Sequence, residues 1–238
     1  MAVQEGMYGY AVIDASKEER STFIKRTYTH LAAAILMFTA IEAMLLGPLK
    51  ATTLPIARSM VSSGMTWIAV LIAFMAVGYL ADYWARSARS RTMQYAGLVL
   101  YVVAQAIIFM PLLFVATLKT NADVLPTAAI LTLTLFAGLT ATVFITGKDF
   151  SFLRTILSVG MFVALGIIVV AALYGFTLGA IFSIVLIGLA AGYILYYTSQ
   201  IQHHYHPDQY VAASLALFAA VALMFWYVIL LLLSLSRD

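Results

Sequence analysis

Residues 211–235 read VAASLALFAAVALMFWYVILLLLSL and contain no charged side chain. An α-helix needs about 20 predominantly apolar residues to cross a bilayer, so this stretch is long enough to span one. Its apolar side chains occupy every face of the helix, and a helix without a polar stripe must lie in lipid or be surrounded by other helices. We therefore predict a central or near-central transmembrane helix.

The composition of the whole chain agrees with this. Of its 238 residues, 64% are hydrophobic and 10% are charged, whereas soluble domains carry about 25% charged residues. This class of composition predicts an integral membrane protein whose first partner is the lipid bilayer. Connections between apolar runs are short, so no separate catalytic or nucleic-acid-binding domain is expected. The chain has no Cys, which excludes disulfides, thiolate metal sites and a cysteine nucleophile.

Seven apolar runs follow one another, and each predicts a transmembrane helix. Their approximate bounds are 28–49, 65–83, 95–118, 128–146, 152–174, 182–201 and 211–235. Residues 1–27 form a polar N-terminal tail without a cleavable signal peptide, and residues 28–238 form an all-α, seven-helix transmembrane domain. The segment after the first run contains Pro55, which predicts a loop. Pro111 predicts a kink or break in the third run, because proline removes a backbone donor.

Basic residues near the ends of the runs predict the orientation. The sixth and seventh runs are joined by QIQHHYHPDQY, residues 200–210, which we call the His-rich loop. One side holds Lys17, Arg20, Lys25, Arg26, Arg86, Arg89, Arg91, Lys148 and Arg154; the other holds Lys50, Arg58, Lys119 and Arg237. This imbalance places the N-terminus and the His-rich loop in the cytoplasm and the C-terminus on the opposite side of the cell membrane.

Four segments resemble a known family: RTYTHLAAAILMFTAIEAMLL at 26–46, FMPLLF at 109–114, GKDFSFLR at 147–154 and ILYYTSQI at 194–201. Together with the last apolar run, they are similar to the Bax inhibitor-1 family (transmembrane Bax-inhibitor-motif proteins), in particular its bacterial branch. The resemblance extends from about Arg26 to the C-terminus.

The resemblance implies a fold in which six helices surround the last one. For characterised relatives it also implies a pH-sensitive calcium leak and a protective role in stress and membrane-protein quality control. The leak is attributed to two acidic side chains, one in the sixth helix and one in the seventh. The matching positions here are Tyr197 and about Ala220, so both acids are replaced.

Three side chains inside the runs are candidates for an ion or proton pathway. Glu42 lies well inside the first run, where a charged carboxylate must face the bundle interior, be paired, or be protonated. Its structural alternative is a neutral Glu hydrogen-bonded to a neighbouring helix. Gln105 is a possible partner or pore-lining group, although a helix-to-helix hydrogen bond is the simpler interpretation. Tyr197 qualifies by its position, although tyrosines near helix ends are usually interfacial anchors.

A second set of side chains suggests a cytoplasmic latch that closes one mouth of the bundle. The candidates are Asp82, Arg86, Asp149, His203, His204, His206 and Asp208. Histidine titrates near pH ~6.5, so such a latch would respond to pH. Interfacial ion pairs and a plain solvated loop are the simpler alternatives. We predict no metal site, because no closed set of ligands accompanies the histidines.

Known enzyme signatures are missing from the sequence. No GxSxG or HExxH motif and no pair of intramembrane acids occurs, so we predict no catalytic residues, no cofactor and no enzyme activity. Two functions remain. The first is a cation leak or channel, with Ca²⁺ as the transported ion. The second is a non-conducting regulator that binds other membrane proteins, such as membrane proteases. No nucleic acid is expected as a partner. The sequence does not indicate whether the protein is a monomer or an oligomer.

Overall fold

The computed structural model describes residues 10–87, 90–119 and 123–236, and within these ranges the chain is all-α. The helices are α1 Lys17–Leu46, α2 Lys50–Met60, α3 Gly64–Ala85, α4 Arg91–Lys119, α5 Val124–Thr146, α6 Leu153–Tyr174, α7 Ala180–His203 and α8 Tyr210–Leu235. Two short 3₁₀ turns accompany them, Val12–Asp14 and Pro207–Gln209.

Seven of these helices, all except α2, are long and apolar enough to cross a membrane. This confirms the predicted all-α bundle of seven transmembrane helices. Helix α1 begins at Lys17, so residues 17–27, which the sequence places in the polar tail, are helical. A capping box explains the early start: Ser16 Oγ accepts a hydrogen bond from the Glu19 amide at 3.2 Å, and the Glu19 carboxylate accepts one from the Ser16 amide at 3.1 Å.

The loop predicted after the first run is wrong, because residues 50–60 form helix α2. The Thr53 hydroxyl donates to the Leu45 carbonyl at 2.6 Å and so ties α2 to the end of α1. Ala57 and Met60 are buried in a cluster with two residues of α4. These contacts stabilise helix α2 although it contains an internal proline. From the sequence alone, a proline at this position argues against a helix.

The break predicted at Pro111 is also not found, since α4 continues through this residue from Arg91 to Lys119. Residues on both sides of it, including Met110, Leu112 and Phe114, are buried. A proline removes a single backbone hydrogen bond, and packing on both sides keeps the helix continuous there.

Helix α8 is the centre of the bundle. Every residue from Tyr210 to Phe218 is buried, and the helix packs mainly against α1, α4, α5 and α7. Helix α3 touches α8 less, and α6 packs on α7 and α3. The apolar run that has no polar face is therefore the run with the most protein around it.

One end of the bundle is organised by the His-rich loop, and we call it the His-loop end. The Val12 amide donates to the Tyr205 carbonyl at 2.8 Å, which brings the N-terminal turn onto the loop. The starts of α1, α4, α6 and α8 and the ends of α3, α5 and α7 also lie at this end. Most of the predicted site residues are found there.

Candidate functional site

Glu42 lies inside the bundle, on the far half of α1. It continues the stripe of buried α1 residues formed by Thr27, Leu31, Ala34 and Phe38, and it is only 5% exposed. Neither carboxylate oxygen has a hydrogen-bond partner among the described residues. The alternative prediction, a neutral Glu42 hydrogen-bonded to a neighbouring helix, therefore has no bonding partner in the described part of the chain.

The apolar packing around Phe38, one turn before Glu42, explains why the carboxylate is isolated. The Phe38 ring meets Phe109 of α4 edge-on at 5.1 Å and Phe218 of α8 at 6.1 Å. The helix that carries Glu42 is thus held against the two most buried helices by aromatic rings. A carboxylate in such surroundings loses its hydration without gaining hydrogen bonds in return.

The three predicted pathway residues do not form one site. Gln105 is buried on α4 at 7% exposure, but no hydrogen bond joins it to Glu42. Tyr197 packs its ring on Tyr193 at 5.8 Å and on Tyr196 at 5.1 Å, near the His-loop end. His30, which contacts Tyr210 at this end, precedes Glu42 by about 18 Å along α1. Glu42 and Tyr197 therefore lie in opposite halves of the bundle.

Two of the predicted latch residues, Asp149 and His204, meet across the His-loop end. His204 Nε2 lies 3.0 Å from Asp149 Oδ2, although the residues are 55 positions apart. The other carboxylate oxygen accepts from the Ser151 amide at 2.9 Å, the Ser151 hydroxyl at 2.6 Å and the Ser199 hydroxyl at 3.1 Å. Partial burial raises the pKa of Asp149, but the bonds from Ser151, His204 and Ser199 outweigh it and lower the pKa below its ordinary value.

Ser199 is the buried residue that docks this connection onto α7. Its hydroxyl accepts a hydrogen bond from the Phe150 amide at 2.8 Å while donating to Asp149. Gln200 adds a bond from its side-chain amide to the Ser151 hydroxyl at 2.8 Å. The turn between α5 and α6 is therefore attached to the end of α7 by several polar contacts. No pattern in the sequence indicates Ser199 as a site residue.

A second cross-link joins the start of α4 to the His-rich loop. Arg91 Nη1 donates to the Asp208 carbonyl at 2.9 Å, and Arg91 Nη2 makes an ion pair with the Asp208 carboxylate. The guanidinium groups of Arg91 and Arg26 lie 5.1 Å and 5.5 Å from the centre of the Tyr210 ring. Asp208 was predicted for the latch, but Arg91, which faces it across 117 residues, was not singled out as its partner.

His206 shapes the 3₁₀ turn that precedes α8. Its Nδ1 accepts a hydrogen bond from the Asp208 amide at 3.1 Å, and its ring lies 5.3 Å from that of Tyr10. Burial lowers the pKa of His206, Asp208 opposes this shift and Arg91 adds to it. The neutral imidazole is thus the form that the folded turn favours.

The remaining latch candidates also make contacts within their own helices. Arg86 Nε donates to Asp82 Oδ2 at 2.7 Å within α3. Burial lowers the pKa of Arg86, but the neighbouring Tyr205 and Asp82 outweigh this and raise it, so the guanidinium stays charged. His203 Nδ1 lies 2.9 Å from the Ser199 carbonyl of its own helix. Among the described residues, no group of three or more His, Asp or Glu side chains is placed to hold a metal ion.

One known protein family matches most of the chain. The family model described as inhibitor of apoptosis-promoting Bax1 matches residues 20–238. This range includes Glu42, Tyr197 and the residues of the His-loop end, except those before residue 20. No curated protein and no solved structure matches the chain. By the extent of that match, which runs through all seven membrane-spanning helices, the chain belongs to the Bax inhibitor family.

Proposed function

We propose that the protein is a pH-sensitive cation leak of a cell membrane, with Glu42 as the group that binds the cation or proton. Ca²⁺ is the expected ion, because it is bound by oxygen ligands such as carboxylates. The His-loop end is the expected cytoplasmic mouth. The cluster of basic residues there supports this orientation, although Arg89, Arg237 and Asp238 lie outside the described residues.

The burial of Glu42 without a partner is the observation that carries the proposal. A carboxylate inside a membrane-spanning bundle is costly, and such groups generally mark ion or proton pathways. At 5% exposure, both oxygens of Glu42 lack a partner among the described residues. A bound cation or proton would supply what the surrounding side chains do not.

Two polar contacts of the His-loop end support a latch on the same pathway. Arg91 joins α4 to the loop at Asp208, and Asp149 joins the α5–α6 turn to His204. Both contacts link segments that are distant in sequence, so breaking them would weaken the attachment of the loop to α4 and to the α5–α6 turn. In this proposal, the latch closes the cytoplasmic mouth.

Calcium flux into liposomes tests the proposal. The purified protein is reconstituted into liposomes that enclose a calcium indicator, and calcium influx is measured at pH 6 and pH 8. Glu42→Gln keeps the size of the side chain but removes its charge, and we expect it to abolish most of the influx. Glu18→Gln, an exposed position on the first turn of α1, is the matched control and should leave influx unchanged. Equal influx in all three proteins would remove Glu42 from the mechanism.

A non-conducting regulator of other membrane proteins is the second candidate, and α3 presents the surface that a partner helix would contact. Only Ala81 and Ala85 of this helix are buried, while Ile72, Met75 and Tyr79 are each more than half exposed. Such an apolar face suits lipid or the helix of a partner. A variant with Tyr197→Asp and Ala220→Asp separates the two functions. Influx that starts only when both acids are present would support the regulator.

A further inference from the structure

The segment before α1 folds back across the His-loop end. Residues 10–16, which we call the strap, include the 3₁₀ turn Val12–Asp14. A backbone hydrogen bond from the Ala15 amide to the Val12 carbonyl, at 3.2 Å, closes this turn. The capping box at Ser16 then starts α1. The strap therefore follows a defined path before the first membrane-spanning helix begins.

Val12 attaches the strap to the rest of the molecule. Its amide donates to the Tyr205 carbonyl at 2.8 Å, and its side chain is fully buried in the main apolar core. The next side chain, Ile13, is 51% exposed, so the turn directs one residue inward and its neighbour outward. Tyr205 is also buried, and its ring lies 6.4 Å from that of Phe23 on α1. Val12 thus plugs the place where α1, the end of α7 and the His-rich loop meet.

The other contacts of the strap are exposed to solvent. The Tyr10 hydroxyl donates to Glu19 Oε1 at 3.2 Å, and the Tyr10 ring lies 5.3 Å from that of His206. Exposed hydrogen bonds compete with water and contribute little, whereas the burial of a valine side chain stabilises a contact substantially. Val12 is therefore the main anchor. A segment that depends on one buried side chain belongs to the parts of a fold that open locally, without unfolding of the whole.

The His-rich loop is tied down on several sides, and the strap holds one of them. Arg91 ties the loop to α4 through Asp208, and Asp149 ties it to the α5–α6 turn through His204. Both of these ties lie within the range that the family model matches, which begins at residue 20. The strap precedes that range, so it is a further tie on the same loop.

We propose that the strap is an autoinhibitory closure of the His-loop end, with Val12 as its plug, and that ions pass this end only after the strap lifts. The effect on ions rests on the proposed leak, whereas the lifting is measurable without it. Lifting removes the cover from Phe23 and Tyr205, which are both buried while the strap is docked. Because the plug is apolar, a charged side chain at the same position holds the strap away from its seat.

Thiol labelling measures whether the strap is docked. The chain has no cysteine, so a single introduced cysteine is labelled specifically. Val12→Cys keeps a small apolar side chain at the plug, and Ile13→Cys, at the exposed neighbouring position, is the matched control. In full-length protein in detergent micelles, a water-soluble maleimide should label Val12→Cys at least ~100-fold more slowly than Ile13→Cys. Labelling of both variants at the same rate would overturn the proposal.

Calcium influx into liposomes measures whether the docked strap closes the pathway. Val12→Asp places a charge in the apolar seat of the plug, and calcium influx should rise several-fold over that of the unmodified protein. Ile13→Asp adds the same charge at the exposed neighbouring position and should leave influx unchanged. If Val12→Asp fails to fold, Val12→Thr, which keeps the shape of the side chain and introduces a hydroxyl, is compared with Ile13→Thr in the same way.

The outcomes separate the strap from the leak itself. Influx that rises in Val12→Asp but not in Ile13→Asp supports the strap. Equal, measurable influx in the unmodified protein and in both variants overturns the strap and leaves the leak standing. No influx in any of the three proteins overturns the leak together with the strap's effect on it. A rise accompanied by loss of the enclosed calcium indicator would come from a damaged bundle and would count against the strap.

Discussion

Ser199→Ala should loosen the turn between α5 and α6 and destabilise the whole bundle. Ser199 is fully buried, and its hydroxyl both accepts from the Phe150 amide and donates to Asp149. An unsatisfied, partly buried amide costs about 1–2 kcal/mol. Asp149 is 46% exposed in its pair with His204, so solvent screening limits the loss on that side to about 1 kcal/mol or less. We expect a total loss of about 1–3 kcal/mol.

Reversible unfolding in mixed detergent micelles measures this loss. Ser158→Ala is the matched control, since the Ser158 hydroxyl donates to the Arg154 carbonyl at 2.8 Å on an exposed face of α6. That substitution should cost less than about 0.5 kcal/mol. Hydrogen exchange provides the local measurement, because the Phe150 amide should exchange faster in Ser199→Ala and at the normal rate in the control.

Equal stabilities of the Ser199 and Ser158 variants would refute this reasoning. It would mean that solvent replaces the Ser199 hydroxyl without cost, and that the turn is not docked by this residue. A loss of stability with unchanged exchange at Phe150 would also contradict it, because the destabilisation would then come from elsewhere on α7.

Two further predictions concern the His-rich loop. Because burial lowers the pKa of His206, the stability that its neutral ring contributes is present above the ordinary value near pH ~6.5 and is lost as pH falls below it. The Tm should therefore fall as the pH is lowered from 7 to 5. His206→Asn keeps an acceptor for the Asp208 amide but cannot titrate, so the Tm of this variant should depend less on pH. If the variant shows the same pH dependence as the unmodified protein, His206 is not the cause of that dependence. Arg91→Gln should cost about 1 kcal/mol, because its ion pair with Asp208 is half exposed and its stacking on Tyr210 adds little. This loss of stability should become smaller in 1 M salt, because salt screens an exposed ion pair. Arg58→Gln, at an exposed position, is the control, and any effect that it has on stability should not depend on salt in this way. A loss in Arg91→Gln that salt leaves unchanged would argue against the ion pair.

The candidate site could be predicted only in part. Asp149, His204 and Asp208 were singled out because charged and titratable groups are rare in this chain and cluster near helix ends. Their partners could not be predicted, since Arg91 meets Asp208 across 117 residues and Asp149 meets His204 across 55. The sequence groups Gln105 with Glu42 because it is a polar side chain inside an apolar run, and the family resemblance adds Tyr197 by its position. In the structure, Tyr197 lies in the other half of the bundle and no bond joins Gln105 to Glu42. Hydrophobic pattern reports which residues avoid water and carries no information on which helices are neighbours.

The sequence by itself determined that the chain has seven membrane-spanning helices, because long apolar runs without a polar face are stable only in lipid or among other helices. Only the tertiary structure decided the places where one segment depends on another. Helix α2 forms because Thr53 and Met60 find partners on α1 and α4, and α4 continues through Pro111 because its neighbours hold it. The isolation of Glu42 is likewise a result of helix packing, because packing depends on the shapes of side chains on helices that are distant in sequence.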